Sequence, residues 1–154
     1  MIISGENSMK NKWDERYMGL AKEVATWSKD PSSKIGAITV GSKGQVLSQG
    51  YNGFPRGVRD DLAPRWEIRE FKYKFVVHAE MNAIYNATYN GVSLDGATIY
   101  VHGLPCCHEC AKGIIQVGVK RVVMNGDPED PRWKESAALA IQMFKEAKVE
   151  YEFI

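Results

Sequence analysis

The 154-residue sequence has only three cysteines, and all three fall between positions 106 and 110. Thiols that close together cannot build the spread disulfide framework of a small secreted domain, and their clustering favours a reducing compartment with metal-bound thiolates. An excess of charge of one sign is lacking too: 20 Lys and Arg face 19 Asp and Glu, a formal net charge of +1. That balance argues against a long nucleic-acid footprint, although a local pocket for a small anion needs only about two or three cations. No stretch approaches the roughly eighteen consecutive apolar residues of a membrane span. Residues 1–8 show no basic region, apolar core or cleavage pattern. Neither insertion nor export is expected, and a cytoplasmic location is. No internal repeat or low-complexity tract is visible. A chain of this length buries roughly two-thirds of its unfolded surface as one domain, so residues 9–154 are expected to form a single domain preceded by an unstructured extension over 1–8.

Trp13, Tyr17, Leu20, Ala21, Val24 and Trp27 recur at three-to-four residue spacing. This predicts an amphipathic helix over Lys12–Ser28, ended by Lys29-Asp30-Pro31 and packed on a sheet. Ile35–Val40 and Gln45–Gly50, joined by Gly41-Ser42-Lys43-Gly44, read as a hairpin. Regularity then stops: from Tyr51 to about Tyr73 the chain is rich in Gly, Pro and charge, too long for an ordinary connection and therefore functional or mobile. Helices are expected over His78–Tyr89, closed by Asn90-Gly91, over Cys107–Gln116, closed by Gly118, and over about Lys134–Ala147. Strands are expected over Thr98–Val101, Lys120–Met124 and Val149–Ile154. A helix between the last two strands favours a right-handed crossover, so these two are expected to be parallel, in a mixed α/β sheet with helices on both faces.

Two short clusters about thirty residues apart carry the chemistry, His78-Ala79-Glu80 and Pro105-Cys106-Cys107-His108-Glu109-Cys110. Cys107 and Cys110, three apart, share one helix face beside its exposed N-terminal amides, where the positive end of the helix dipole lowers thiol pKa values. With His78 at the start of the preceding helix they supply one imidazole and two thiolates, which leaves zinc a fourth, open position as catalytic sites do. Glu80, two residues from His78, can flank such a site and carry a proton from an attacking water to a ring nitrogen and a leaving amine. Taken alone, the Cys-x-x-Cys pair reads equally as a closed zinc knuckle, a buried pair or a redox motif. His108 is expected to point away from the face the two cysteines share. His102 could stack beside a ligand or simply fill space, and Cys106 is expected to serve packing with no metal role.

His-x-Glu upstream, with Pro ahead of a Cys-x-x-Cys, resembles the signature of zinc nucleobase deaminases. The likeness extends further: Ser28–Ala37, Gly50–Gly57, His78–Ile84 and Cys107–Lys112 resemble, in their order, the sequence blocks of the deoxycytidylate deaminases of the cytidine deaminase superfamily. The resemblance implies a three-layer α-β-α sandwich with a mixed five-stranded sheet. It implies hydrolysis of dCMP to dUMP and ammonia for thymidylate synthesis, with Zn2+ held by His78, Cys107 and Cys110 and with Glu80 as proton shuttle. It places Asn52 and Ala79 among the substrate contacts and suggests a homo-oligomer, commonly a hexamer. Many members are activated by dCTP and inhibited by dTTP through the loop that here begins at Gly50. Asp60 and Asp61 in that loop could hold Mg2+ on a regulatory triphosphate, or form only an exposed acidic turn. One departure is Cys106, which lengthens by one residue the loop between Pro105 and the first implied ligand.

Read by their own chemistry, several residues have two roles open. The Asn52 amide could hold a sugar hydroxyl or make an Asx turn. Lys29, Ser33 and Lys34 near a strand start, and Arg56 in a glycine-flanked loop, are candidates for a phosphate or are solvated loop residues. Trp66, Phe71 and Tyr73 could meet a neighbouring subunit, cover the site or anchor the long loop. The rival functions are a zinc deaminase of cytosine, cytidine, guanine or transfer-RNA adenosine, the last disfavoured by the near-neutral charge, and a non-catalytic zinc- or nucleotide-binding module. Glu80 counts against that module, because structural zinc needs no adjacent proton shuttle.

Overall fold

The computed structural model describes the backbone of residues 4–154, with side chains from residue 12 onward. Strands β1 (Gly36–Val40) and β2 (Val46–Tyr51) form the expected antiparallel hairpin, and β1 also pairs antiparallel with β3 (Thr98–His102). β3, β4 (Arg121–Met124) and β5 (Glu150–Phe153) run parallel, giving the order β2-β1-β3-β4-β5. The mixed five-stranded sheet and the parallel last pair are as expected, the pair being joined through α6 (Lys134–Glu146).

Alternation along the strands loads both faces with apolar side chains. Ile38, Val40, Tyr100 and Val123 pack on Met18, Ala21 and Val24 of α1 (Ser4–Ala25). Ala37, Ile99, Val101, Val122 and Met124 lie in the core shared with α4 (Ala79–Tyr89), α5 (His108–Gln116) and α6. Three layers result, with one helix on one face and three on the other. An ion pair locks α1 in place: the buried Asp14 carboxylate accepts from the Tyr100 hydroxyl at 2.7 Å and from Arg121 Nη1 and Nη2 at 2.8 and 2.6 Å. Arg121 Nη2 also donates to Glu152 on β5 at 2.7 Å. Of the extension expected over 1–8, residues 1–3 lie outside the described residues and α1 takes in the chain from Ser4.

The stretch from Tyr51 to Tyr73, expected to be irregular, contains α2 (Ala63–Glu67) and the start of α3 (Arg69–Phe75). Pro64 in the first turn suits a helix start. Trp66 stacks on Phe54 with ring centroids 4.1 Å apart and donates from Nε1 to the Asp60 carbonyl at 2.8 Å. Helices of five and seven residues are too short for a 3.6-residue period to show, which is why the composition alone looked like loop.

α4 is fastened to the edge strand β2. Ser48 Oγ donates to the Ala83 carbonyl at 2.8 Å, and the Asn82 and Asn86 amides donate to the carbonyls of Tyr51 and Gln49 at 2.7 and 2.6 Å. Gly50 permits this approach, because a Cβ there would stand 2.3 Å from Ala83 N and 2.5 Å from Ala79 O, both backbone atoms. Gly50→Ala is accordingly expected to lift α4 and cost about 1–3 kcal/mol of stability. An unchanged urea midpoint for this variant would mean that the helix rides up freely.

Candidate active site

His78 and Cys107 are not the first residues of their helices, as expected, but the caps immediately before α4 and α5. Their backbones are extended (φ −68°, ψ 155° and φ −81°, ψ 162°). At Cys107 the cap conformation brings the sulfur to the exposed amides of the α5 end, where it accepts from Cys110 N at 3.4 Å, whereas His78 caps α4 without a side-chain bond. His78 Nδ1 lies 3.4 Å from the Cys107 sulfur and 3.4 Å from that of Cys110. All three ligand atoms fall within 4.8 Å of one another. Zinc with bonds of about 2.3 Å to sulfur and about 2.0–2.1 Å to nitrogen, at tetrahedral angles, needs an N···S separation of about 3.5 Å. The observed spacing and the soft donors fit that ion.

The backbone behind these residues is well tied. Val77, just before His78, exchanges hydrogen bonds with Gly53 at 2.7 and 3.1 Å. On the cysteine side the loop lies against the end of β4. A Cβ on Gly126 would stand 2.3 Å from Leu104 C and 2.4 Å from Pro105 N, so no larger residue fits beneath it.

Electrostatics favour a cation at the convergence. The Cys110 thiol holds the Cys107 thiolate, with His78 and the Cys110 amide adding to it, and brings the Cys107 pKa down to about 4 against the opposing effect of burial. That same thiolate, with burial, keeps the second proton on Cys110. A metal ion on the shared atoms removes this conflict, because a coordinated thiol is deprotonated outright. Glu80 is 4% exposed. Burial first, and the neighbouring Cys107 charge second, push its carboxyl up to about 7. Cys106 is buried beside these groups; its thiol donates to the Cys107 carbonyl at 3.4 Å, and burial raises its pKa. It holds no place among the three converging ligand atoms.

These groups open on a cavity of about 320 Å³ lined by His78, Ala79, Glu80 and Cys107 together with Ser33 and Asn52, a size suited to a small-molecule ligand. Lys29, Lys34, Arg56, Asp60 and Asp61 are not among its lining residues. Lys29 pairs with Asp60 at 2.9 Å, and Arg59 with Asp61 at 3.1 Å. The Lys34 ammonium donates to the Ser28 carbonyl, while Arg56 donates to Asn86 and stands 5.3 Å from the Tyr89 ring centre. Asn52 is held on every side: Oδ1 accepts from Ile35 N at 2.9 Å, and Nδ2 donates to Asp30 at 3.2 Å and to the Ser33 carbonyl at 2.8 Å. His102 pairs with Asn125 at 2.7 Å and His108 with Ser136 at 2.8 Å, both apart from the cavity lining. Trp66 and Tyr73 line the cavity, whereas Phe71 is exposed and does not.

Sequence reasoning missed four residues here: Asp30, Arg69, Lys72 and Arg132 also line the cavity. Buried Asp30 accepts from the amides of Ser32 and Ser33 at 2.8 and 3.2 Å and from Lys72 Nζ at 2.9 Å, so Lys72 fixes the group that orients Asn52. For Arg69 and Lys72 the available signal was the run of cations in the stretch read as irregular; Asp30 and Arg132 reach the cavity only through the tertiary fold.

The family model for the cytidine and deoxycytidylate deaminase zinc-binding region matches residues 11–125. The chain belongs to this deaminase family. As a zinc-binding deaminase domain, it carries within the matched region the whole His78, Cys107 and Cys110 donor set. Similar proteins include a deoxycytidylate deaminase of Mus musculus, 40% identical over 144 residues that cover 91% of this chain and 78% of the relative. An uncharacterized deaminase from the luxG 3′ region of Aliivibrio fischeri is 38% identical over 148 residues, covering 95% and 96% of the two chains. Among solved structures, the dCMP deaminase of cyanophage S-TIM5 in complex with dCMP and dUMP is similar with a TM-score of 0.74 and 27% identity, over 99% of this chain and all of that one (100%). Among the described residues no helix of this deaminase is long and apolar enough to cross a membrane.

Proposed function

We propose that this protein hydrolyses dCMP to dUMP and ammonia, supplying dUMP for thymidylate synthesis. The observation that carries the reading is the buried Glu80 carboxyl placed in one cavity with the His78, Cys107 and Cys110 donor set. The choice of nucleotide is supported by relatives named for deoxycytidylate and by the phage enzyme crystallised with dCMP and dUMP.

His78 Nδ1 and the two sulfurs would hold Zn2+ as the three protein ligands. When bound, zinc supplies Lewis-acid activation of a water molecule. Glu80 takes a proton from the attacking water on a carboxylate oxygen and delivers it to the ring nitrogen next to the carbon under attack. A second proton, from the hydroxyl that the water has added to the ring carbon, passes by way of Glu80 to the amine as the C–N bond breaks, so that one water enters and one ammonia leaves. Burial of Glu80 keeps bulk water from competing for the proton. Ala79 and Asn52 line the same cavity as candidate contacts to base and sugar, Asn52 through the second lone pair of Oδ1, since both Nδ2 hydrogens are engaged by Asp30 and Ser33. Three thiols free of disulfides support a reducing, cytoplasmic setting. The proposal extends to a homo-oligomer, with a hexamer favoured, supported by Tyr85 and Tyr89 standing 52% and 80% exposed. It extends also to dCTP and dTTP as regulators with Mg2+, for which Asp60 and Asp61 are the candidate contacts.

The test is ammonia release by zinc-loaded protein from dCMP, CMP, deoxycytidine, cytosine and guanine. Release is expected to be preferential from dCMP, lost on dialysis against a chelator and regained with Zn2+. No release from any of the five, with one zinc bound per chain, would overturn the reading.

A further inference from the structure

Asp30, Ser33, Asn52 and Lys72 all line the cavity, although they come from three separate parts of the chain. Asp30 and Ser33 belong to the connection between α1 and β1, Asn52 follows β2, and Lys72 lies on α3. Lys72 Nζ stands 2.9 Å from each Asp30 carboxylate oxygen, with the two side chains 15% and 3% exposed. The same carboxylate accepts from the Ser32 and Ser33 amides and, at 3.2 Å, from Asn52 Nδ2. The other Nδ2 hydrogen goes to the Ser33 carbonyl at 2.8 Å, and Asn52 Oδ1 accepts from Ile35 N at 2.9 Å. These partners admit one orientation of the amide. Turned over, its oxygen would face the Asp30 carboxylate and the Ser33 carbonyl, and its NH2 group would face the Ile35 N–H. What is left to a ligand is the second lone pair of Oδ1, so Asn52 can accept from it and cannot donate to it. The sugar of a 5′-phosphorylated deoxynucleoside has one group able to donate, its 3′-hydroxyl. A ligand without that group leaves a buried acceptor unpaired, which costs more than the bond itself contributes.

We propose that the buried ion pair of Lys72 and Asp30 positions Asn52, locking its amide as an acceptor and thereby making the protein select ligands that carry a free sugar hydroxyl. This deepens, and rests on, the deaminase reading above. Lys72 and Asp30 act through the Asn52 amide and not on the reacting atoms. Of the groups that fix the amide, the carboxylate is the charged one, and Lys72 holds it in place from both oxygens.

The experiment compares dCMP with 2′,3′-dideoxycytidine 5′-monophosphate in zinc-loaded wild type, Lys72→Met, Lys72→Arg and the double variant Asp30→Asn/Lys72→Met. Binding of dUMP and of its dideoxy counterpart is measured in parallel by calorimetry. Both members of each comparison carry the same phosphate, so any direct effect of the lysine charge on that group cancels in the ratio. General loosening of the fold lowers both members alike. Wild type is expected to favour dCMP by roughly 10–100-fold in kcat/KM. In Lys72→Met this ratio is expected to fall below about threefold, mainly through a higher KM for dCMP, and in Lys72→Arg to stay near the wild-type value. The double variant strands no buried charge, and it decides the matter by the same ratio if Lys72→Met fails to hold one zinc per chain. A wild-type ratio near one, or a ratio unchanged in Lys72→Met and in the double variant, would overturn the proposal. Wild type inert toward every cytosine compound would sink the deaminase reading instead, and the binding ratio of dUMP to its dideoxy counterpart across the same variants would still decide the role of the pair.

Discussion

Replacing Glu80 by Gln is expected to lower dCMP turnover by roughly 10²–10⁴-fold, the usual worth of a positioned general acid–base. Zinc content and fold are expected to stay as in wild type. Glutamine matches the shape of glutamate and fits the first turn of α4 equally well, but its amide cannot take a proton from water and hand it to a ring nitrogen. None of the three ligand atoms belongs to residue 80. Bulk water cannot take over the role, since the side chain is 4% exposed. Removing an ionisable group from so dry a place is not expected to lower the melting temperature of the metal-free protein, as catalytic groups are commonly held at the expense of stability. The measurements are kcat with dCMP, zinc stoichiometry and thermal unfolding. Turnover retained in the variant would eliminate Glu80 as proton carrier, and loss of zinc or fold would recast it as a structural residue.

Asp14→Ala is expected to cost about 3–5 kcal/mol of stability, because it strands a partly buried arginine. Arg121, 11% exposed, has two bonds to Asp14 and one to Glu152, and the latter is 44% exposed and weakly held. The Tyr100 hydroxyl loses its acceptor in the same stroke. Tyr100→Phe is expected to cost only about 1 kcal/mol, since it removes one neutral donor and leaves the ion pair intact. Set against a typical total of about 5–15 kcal/mol, the Asp14 change alone brings the fold near its limit. Asp14 joins α1 to the sheet face opposite the ligand-bearing helices, so kcat of the folded fraction is expected to be unaffected. Urea denaturation of the zinc-loaded variants gives the ranking. A loss below about 1 kcal/mol for Asp14→Ala would show that Glu152 suffices to hold Arg121.

The sequence by itself determined the donor set, the sheet and the helices that carry the site. His78-x-Glu80 and Cys107-x-x-Cys110 are spacings within one helix turn, and the strands and long helices announce themselves by periods of 2 and 3.6 residues. Such features depend on neighbours a few positions away and survive any arrangement of the rest. What the tertiary structure decided are the pairings across long separations. Lys72 reaches Asp30 across 42 positions and Arg121 reaches Asp14 across 107. From the sequence, Lys29, Lys34 and Arg56 were as good phosphate candidates as Arg69 and Arg132, because a cation in a chain carries no sign of which carboxylate or carbonyl it will meet. The short helix α3, hidden in a stretch that read as loop, placed Arg69 at the cavity and the turn before α6 placed Arg132 there, while the first group found partners outside it. Local spacing records which atoms can bind a metal, whereas the charge left over to meet a ligand is settled only when packing has assigned every other charge its partner.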